Sequence, residues 1–359
     1  NIRYLLINKM NFLSKIYDSV FRGKNISLNE TNKYINNQQK NNDNSEMVNS
    51  FYNIVTDFYE WGWGNSFHFF VNHKNNSFKE NIVLYEHYVA SKLNLKNGSK
   101  IVDMGCGIGG PMRTIARLTN CNVQGITINQ YQVDKCSQLN KTRNITHLCN
   151  IVKGDFHNTQ FDENSFDGGY AIESLCHSND RSLFYKEICR ILKPNTKFAI
   201  FTWVTTDQYN SGNVKHNKII KDIEYSNGLP PIPSYKTYLE ELRNSDLDIL
   251  ENGDLEELAK AENNWYDPLV IYSYLIIRVL SYIPILISIL FGFLNYDALK
   301  AQQILNVGAT SLVKSGQLKI FTPLYYIIVK TPSRKQVNES ESITESITES
   351  ITESSIEPV

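Results

Sequence analysis

The 359-residue sequence has almost no net charge, no paired cysteine motif and no convincing targeting segment. The formal net charge is −1, and nothing in the composition indicates a nucleic-acid partner. Residues 1–22 interrupt their apolar residues with Asn and Lys, which is not typical of a signal peptide. The six cysteines show no C-x-x-C pair and no metal-ligand spacing, so we predict no metal and a reducing compartment.

Two polar segments flank the part of the chain that is expected to fold. Residues 23–50 are rich in Asn, Gln and Lys, and we predict that residues 1–50 are a polar, disordered segment. Residues 333–359 repeat Glu-Ser-Ile-Thr with no apolar face, which predicts a disordered acidic tail. With 42% hydrophobic residues, the intervening chain can bury the core of one large domain or two small ones.

Residues 101–110 read Ile-Val-Asp-Met-Gly-Cys-Gly-Ile-Gly-Gly and are typical of a strand that ends in a tight turn. Helical periodicity begins at Pro111. Glycines let the backbone bend sharply and let a ligand approach, and the helix N-terminus offers free N–H groups. We therefore predict a ligand-binding turn.

Two kinds of ligand fit such a turn. Gly105, Gly107 and Gly110 match G-x-G-x-x-G, which is formally a dinucleotide pattern. Asp103 would repel a pyrophosphate but suits a cationic ligand. S-adenosylmethionine carries an α-ammonium and a sulfonium and has no phosphate, so we predict it as methyl-donor cosubstrate. Dinucleotide binding is the alternative.

Strands and helices alternate along the chain, which predicts an α/β fold with a doubly wound, mostly parallel sheet. Strands are predicted near 101–103, 123–128, 148–154, 166–172, 197–203, 246–252 and 318–330, and helices at 82–95 and 181–192. Ligands bind beyond the carboxyl ends of such strands. Polar residues fall at four of these ends: Asp103, Asn129, Asp155 and Glu173.

Residues 58–70 hold many aromatic side chains around one carboxylate, Glu60. No helical or strand period explains them. One interpretation is a helix–loop lid packed on the core. The other is the aromatic wall of a pocket, because aromatic faces attract cations such as a sulfonium or a carbocation.

Several motifs together resemble those of the sterol 24-C-methyltransferases, a family of class I S-adenosylmethionine-dependent methyltransferases. They include Val-Thr-Asp-Phe-Tyr-Glu-Trp-Gly-Trp-Gly-Asn-Ser-Phe-His-Phe at 55–69 and Asp-Met-Gly-Cys-Gly-Ile-Gly-Gly-Pro-Met at 103–112. Further matches lie at 125–132, 152–156, 170–173, 176–177, 206–209, 223–224, 228–230 and 316–323. One departure is Phe-Thr-Trp at 201–203, where the family usually has Tyr-Glu-Trp and thus one more pocket carboxylate.

The resemblance implies a seven-stranded Rossmann-like sheet with an α-helical sterol-binding cap, and methyl transfer to carbon 24 of a sterol with a 24–25 double bond. A hydride shift and loss of a proton would complete the reaction. Alternatives are a methyltransferase for another lipid or amine, of phosphoethanolamine or tocopherol type, and a non-catalytic lipid-binding protein.

The resemblance and the strand ends together assign candidate site residues. Expected catalytic residues are Tyr59, Glu60, Glu173 and His177, the last three as candidate bases. Expected cofactor contacts are Asp103, Gly105, Cys106, Gly107, Asn129, Gln130, Asp155, Phe156 and Glu173. Asn129 and Gln130 would bind the ribose hydroxyls, and Asp155 and Phe156 the adenine. Expected substrate contacts are Tyr59, Trp61, Trp63 and Phe67.

Residues 268–294 are strongly apolar, with Arg278 the only charge and Pro284 near the middle. A single membrane crossing would separate the last strand from its sheet, and two crossings need about 40 residues. We predict a helical hairpin or kinked helix that lies on a membrane or lines a sterol pocket. The predicted domains are a core at 51–253 and a C-terminal region at 254–332. Predicted partners are a sterol and the membrane surface, at the cytoplasmic face of the endoplasmic reticulum, with a homo-oligomer possible.

Overall fold

The structure is a computed structural model that describes residues 44–290 and 297–333. Seven strands form one sheet in the order β3-β2-β1-β4-β5-β7-β6. They are β1 (Lys100–Met104), β2 (Asn122–Thr127), β3 (Cys149–Lys153), β4 (Gly168–Ile172), β5 (Lys197–Thr205), β6 (Asp248–Asp254) and β7 (Phe321–Lys330). The first five run parallel, and β7 is antiparallel to both β5 and β6. The predicted fold class is confirmed.

Burial explains why these segments are strands. All five residues of β4 and eight of the nine in β5 are buried, as expected where helices cover both faces of a parallel sheet. Strand β6 alternates exposed and half-buried residues because it is an edge strand. Strand β7 begins at Phe321, three residues later than predicted, because helix α11 extends to Gln317.

Eleven α-helices lie in the described residues. They are α1 (Asn44–Trp63), α2 (Phe78–Lys92), α3 (Gly110–Thr119), α4 (Gln130–Thr142), α5 (Arg181–Ile191), α6 (Val214–Asn227), α7 (Tyr235–Arg243), α8 (Leu255–Ala259), α9 (Leu275–Leu280), α10 (Tyr282–Leu290) and α11 (Asp297–Gln317). Helix α2 begins earlier than predicted because Ser77 and Glu80 form a capping box.

The N-terminal boundary of the folded part was predicted too late. Residues 44–50 were assigned to the disordered segment, but they belong to α1. Val48 is buried there, and Phe51 and Val55 of the same helix pack against Ala301 and Ile304 of α11. Tertiary burial therefore outweighs a locally polar composition. The rest of the predicted disordered segments, 1–43 and 334–359, lies outside the described residues.

The apolar stretch is a kinked helical segment, as predicted for its described part. A 3-10 turn (Asp267–Ser273) precedes α9 and α10. The helix breaks around Ser281 because Pro284 has no N–H to donate to the carbonyl of Leu280. No helix within the two described ranges is long and apolar enough to span a membrane. Residues 291–294 of the stretch lie outside the described residues.

Candidate active site

A cavity of about 370 Å³ lies at the carboxyl ends of β1 to β4, within the usual size range of small-molecule sites. Residues from the ends of all four strands reach it because parallel strands present these ends at one edge. Its lining includes Asp103, Gly105, Cys106, Gly107, Thr127, Gln132, Asp155, Phe156, Glu173 and His177, with Phe67 and His68 from the segment after α1. Most of the expected cofactor contacts are thus brought together.

Two glycines, Gly105 and Gly107, shape the turn that lines the cavity. Gly105 has φ +94°, and its N–H donates to the carbonyl of Ile126. A Cβ at Gly105 would lie 2.3 Å from Cβ of Ser174. Gly107 has φ +53°, and its Cβ would lie 3.8 Å from the ring of Phe67. The turn therefore packs tightly against β4 on one side and opens towards Phe67 on the other.

Gly105→Ala is expected to lower the melting temperature by about 5–10 °C and to abolish cofactor binding. The reason is that the backbone strain of a positive φ and the steric clash with Ser174 both destabilise the turn. Thermal unfolding and calorimetric titration with S-adenosylmethionine measure the two effects. Gly98→Ala is the matched control, since Gly98 also has positive φ but nothing lies within 4 Å of its Cβ. An alanine variant at 105 that binds normally would contradict this account of the turn.

Asp103 is the penultimate residue of β1 and faces the cavity with a buried carboxylate, 2% exposed. Tyr170 on the neighbouring strand β4 donates its hydroxyl to Oδ2 at 3.0 Å. Burial raises the pKa of Asp103 to about 7, and the bond from Tyr170 offsets part of this rise. A cation placed beside Asp103 would stabilise its charged form. The site is therefore suited to a positively charged ligand group.

Glu173 follows β4 and adopts φ +50°, a strained conformation for a residue with a side chain. The backbone N–H of Phe69 donates to its Oε1 at 2.6 Å, and Nε1 of Trp203 donates to Oε2 at 2.8 Å. Burial raises the pKa of Glu173 to about 7, although His68 and these two bonds lower it. A carboxylate titrating near neutral pH can accept a proton at working pH.

The structure contradicts the ribose assignment of Asn129 and Gln130. Asn129 caps α4 by accepting from the N–H of Gln132 and donates to Asn49 and Asn53 of α1. Gln130 is exposed and bonds Asp134. Neither residue lines the cavity. The side-chain amide of Asn129 is thus bound to helix α1, which the sequence analysis did not place here.

Gln132 takes the place that was predicted for Asn129. It lines the cavity, and its Oε1 accepts from Oγ1 of Thr127 at 2.7 Å. Its buried Nε2 has no hydrogen-bond partner among the described residues. First-turn side chains of a helix tilt towards its N-terminus, here towards the cavity. The rule applies equally to Gln130 and Tyr131, so no sequence signal singles out Gln132.

Asp155 and Phe156 both line the cavity, as expected for residues after β3. Oδ1 of Asp155 accepts from the N–H of His157 at 2.9 Å and lies 2.7 Å from its Nδ1. The hydrogen bond from His157 is the main cause that lowers the pKa of Asp155, which is therefore ionised at neutral pH. Sequence reasoning missed His157, whose Nε2 lies 2.7 Å from the hydroxyl of Ser178.

The aromatic residues at 58–70 are divided between the core and the cavity. Trp63 was predicted to contact substrate, but its Nε1 donates to the carbonyl of His68 and its ring packs edge-on against Phe69 and Phe78. Phe67 does line the cavity. Tyr59 lies behind it, with ring centroids 5.6 Å apart. The side chain of Trp61 is outside the described part of the structure.

The structure separates the three candidate bases. Glu60 faces away from the cavity and pairs with Lys135 of α4 at 2.5 Å. His177 faces the carbonyl of Gly228 through Nδ1, so that nitrogen carries the proton and Nε2 accepts from Tyr52. Burial lowers the pKa of His177 to about 4, which makes it a weak base. Only Glu173 of the three faces the cavity as a carboxylate.

The comparisons with known proteins agree with this geometry. A profile described as "Methyltransferase domain" matches residues 102–200. The cyclopropane synthase MmaA2 of Mycobacterium tuberculosis has a TM-score of 0.65 at 16% identity, covering 81% of this chain and all of that chain. A geranyl diphosphate methyltransferase has a TM-score of 0.60 at 15% identity, covering 80% and 98%. The fold and the site define a class I S-adenosylmethionine-dependent methyltransferase.

A second profile, "Sterol methyltransferase C-terminal", matches residues 278–333. Cycloartenol-C-24-methyltransferase of Arabidopsis thaliana is 37% identical over 305 residues, 83% of this chain and 90% of the relative. Sterol 24-C-methyltransferase of Kluyveromyces lactis is 37% identical over 308 residues, 82% and 83% of the two chains. The chain belongs to the sterol 24-C-methyltransferase family, and the resemblance seen in the sequence is confirmed.

Proposed function

We propose that this enzyme transfers the methyl group of S-adenosylmethionine to carbon 24 of a sterol that carries a 24–25 double bond. The observation that carries the proposal is the placement of two buried carboxylates, Asp103 and Glu173, in one cavity of a chain from this family. One suits a cationic donor, and the other suits proton removal. Methyl transfer to an amine would require no base placed to remove a proton from carbon.

The residues of the cavity fit the cofactor. Asp103 would pair with its cationic amino group, and the glycine turn would let its backbone approach. The unpaired Nε2 of Gln132 offers a donor to the ribose hydroxyls. Asp155 and Phe156 would hold the adenine. When bound, S-adenosylmethionine supplies an electrophilic methyl group on a sulfonium.

The protein must do three things for the sterol. It must hold the double bond in line with the methyl group, since an alkene needs orientation and no activating base. It must exclude water and stabilise the cation at carbon 25, for which the ring of Phe67, backed by Tyr59, is the described candidate. After a hydride shift from carbon 24 to carbon 25 has moved the cation to carbon 24, the protein must finally accept a proton from the new methyl group, and we assign this step to Glu173.

The test is incubation of the purified protein with methyl-labelled S-adenosylmethionine, a panel of sterols, phosphoethanolamine and tocopherol precursors. We expect label only in sterols with a 24–25 double bond, with the added carbon located at position 24 by mass spectrometry. Label in an amine or phospholipid and in no sterol would contradict the proposal.

We also propose that helices α8 to α11, in residues 254–290 and 297–317, form a cap that docks on a membrane through α9 and α10. Helices α9 and α10 make polar contacts on their inner side and expose apolar side chains on their outer side. Towards α11, Arg278 donates to Thr310, and Ser281 accepts from Gln302. On the outer side the exposed apolar residues are Tyr274, Leu275, Ile276, Val279, Leu280, Ile283, Leu286, Ile287 and Leu290. A lipid leaflet suits such a face and is where an insoluble sterol resides. The cytoplasmic face of the endoplasmic reticulum is the proposed membrane.

The triple variant Leu275→Ser, Ile276→Ser, Val279→Ser is expected to bind phospholipid vesicles at least about tenfold more weakly, because three exposed apolar side chains lose their insertion energy. Co-sedimentation measures vesicle binding, and turnover of vesicle-embedded sterol measures its effect on activity. Turnover of detergent-dispersed sterol should be largely retained. Leu84→Ser with Leu118→Ser is the control, since both leucines are exposed elsewhere. Unchanged vesicle binding, or a dimer that only the triple variant disrupts, would contradict membrane docking.

A further inference from the structure

A buried ion pair joins the cavity lining to helix α2: His68 lines the cavity, and Glu86 lies behind it. His68 is 2% exposed and Glu86 is fully buried, and Nε2 of His68 lies 3.4 Å from Oε1 of Glu86. The hydroxyl of Ser66 donates to the same Oε1 at 2.6 Å. Nδ1 of His68 lies 2.7 Å from the carbonyl of Phe69, which can only accept. Nδ1 therefore carries a proton, and Nε2 faces a carboxylate.

One residue connects this pair to the proposed base. Phe69 accepts from His68 through its carbonyl and donates from its N–H to Oε1 of Glu173 at 2.6 Å. The contacts thus run without a gap from Glu86 through His68 and Phe69 to Glu173. The other oxygen of Glu173 is held by Trp203. The carboxylate is fixed on both sides, and one of these sides leads to a charged pair.

The charges along this series of contacts favour the ionised forms of His68 and Glu86. Burial alone would lower the pKa of His68, but the bond and charge of Glu86, with the charge of Glu173, raise it overall. Burial alone would raise the pKa of Glu86, but His68 and Ser66 lower it overall. An imidazolium at His68 in turn lowers the pKa of Glu173 and of Asp103.

Within residues 44–290 and 297–333, the remaining titratable groups around the pair and Glu173 add no further positive charge. They come from α1, α2, β1 and the turn after β4, and they are Tyr52, Tyr59, Tyr85, Asp103, Cys176 and His177. Burial keeps the tyrosines and the thiol in their neutral forms, and His177 is neutral as well. The ring of Tyr85 stacks on His68 at 5.0 Å. His68 is therefore the cation that bears on Glu173.

We propose that His68 and Glu86 are positioning residues, in which the imidazolium of His68, held by Glu86, keeps Glu173 ionised and oriented to accept the proton. This inference rests on the proposed function. In the step concerned, a hydride has already moved with its electron pair from carbon 24 to carbon 25, which leaves the cation at carbon 24. A C–H bond of the new methyl group then breaks, its electron pair forms the double bond between that carbon and carbon 24, and the proton passes to Glu173. His68 cannot take that proton because both of its nitrogens already carry one.

The first test measures kcat against pH for Glu86→Gln, with saturating S-adenosylmethionine and detergent-dispersed cycloartenol. Without Glu86, His68 loses its charge, so the pKa of Glu173 rises and more of it is protonated at neutral pH. We expect the acid limb to move up by about one pH unit, with about fivefold lower kcat at pH 7 and recovery above about pH 9. An equal loss at every pH, or no loss, would overturn the inference.

Glu187→Gln is the matched control. Glu187 is also a buried glutamate, 5% exposed, but it pairs with Arg190 and does not line the cavity. It should lose comparable thermal stability with no shift of the acid limb. The inference can fail separately from the proposed function, because Glu86→Gln leaves Glu173 in place. An unshifted acid limb in the pH profile of Glu86→Gln would reject the role of the pair. A fully active Glu173→Gln variant would reject Glu173 as the base.

A second measurement does not depend on a stable Glu86 variant. The imidazole nitrogens of the wild-type protein are followed by NMR against pH, and His68→Asn serves only to assign the signal. We expect the pKa of His68 to lie above that of an ordinary histidine, so that both ring nitrogens still carry a proton at neutral pH. A neutral His68 at that pH would overturn the proposal whatever the kinetics of the variants.

Discussion

Replacing Asp103 with asparagine is expected to weaken the binding of S-adenosylmethionine by roughly 100- to 1000-fold. Asparagine keeps the shape and can still accept from Tyr170, but it offers no negative charge to the cationic amino group. Because the position is buried, solvent does not replace the lost charge. Calorimetric titration with S-adenosylmethionine and with S-adenosylhomocysteine, which keeps the amino group, measures the effect.

The pH dependence of binding makes this test sharper. With a pKa of about 7, Asp103 holds a proton below neutral pH, and this proton must leave before the cation pairs. Affinity should therefore fall as pH falls, by up to about tenfold per unit, and Asp103→Asn should lack this dependence. Asp134→Asn is the control, since Asp134 is exposed on α4. Wild-type affinity in Asp103→Asn would exclude Asp103 as the partner of the amino group.

Glu173→Gln is expected to lower kcat by about 10²- to 10⁴-fold while cofactor affinity changes little. Glutamine can keep only one of the two hydrogen bonds that Phe69 and Trp203 donate to separate oxygens, and it cannot take a proton from the sterol cation. In the wild-type enzyme, activity should rise with pH through about 7 as Glu173 ionises. Steady-state turnover of cycloartenol, with a separate binding titration, distinguishes a chemical defect from a binding defect.

Glu60→Gln provides the comparison for this prediction. Its carboxylate does not line the cavity but pairs with Lys135 and accepts from Asn65, so its loss should cost less than about threefold in kcat. The two variants remove one charge each from glutamates that the sequence analysis treated alike. If Glu60→Gln is inactive and Glu173→Gln is active, the assignment of the base is reversed.

The sequence alone determined the fold, the cofactor turn and the family, because these depend on local order along the chain. Apolar runs and glycine spacing predict strands and a turn wherever they occur, and parallel strands bring their carboxyl ends together by topology. Asp103, Asp155 and Glu173 were therefore placed at the cavity before any contact was known.

Only the tertiary structure decided which polar side chains remain free to face a ligand. Glu60, Asn129 and Trp63 carry the chemistry of site residues, but Lys135, helix α1 and the carbonyl of His68 engage them instead. Gln132 and His68 face the cavity, and Glu86 lies behind His68. The contact between His68 and Glu86 spans 18 positions along the chain, and the one between Phe69 and Glu173 spans 104. The physical reason is that a buried polar group must find a partner, and the partner is chosen by packing between distant segments, which no local pattern encodes.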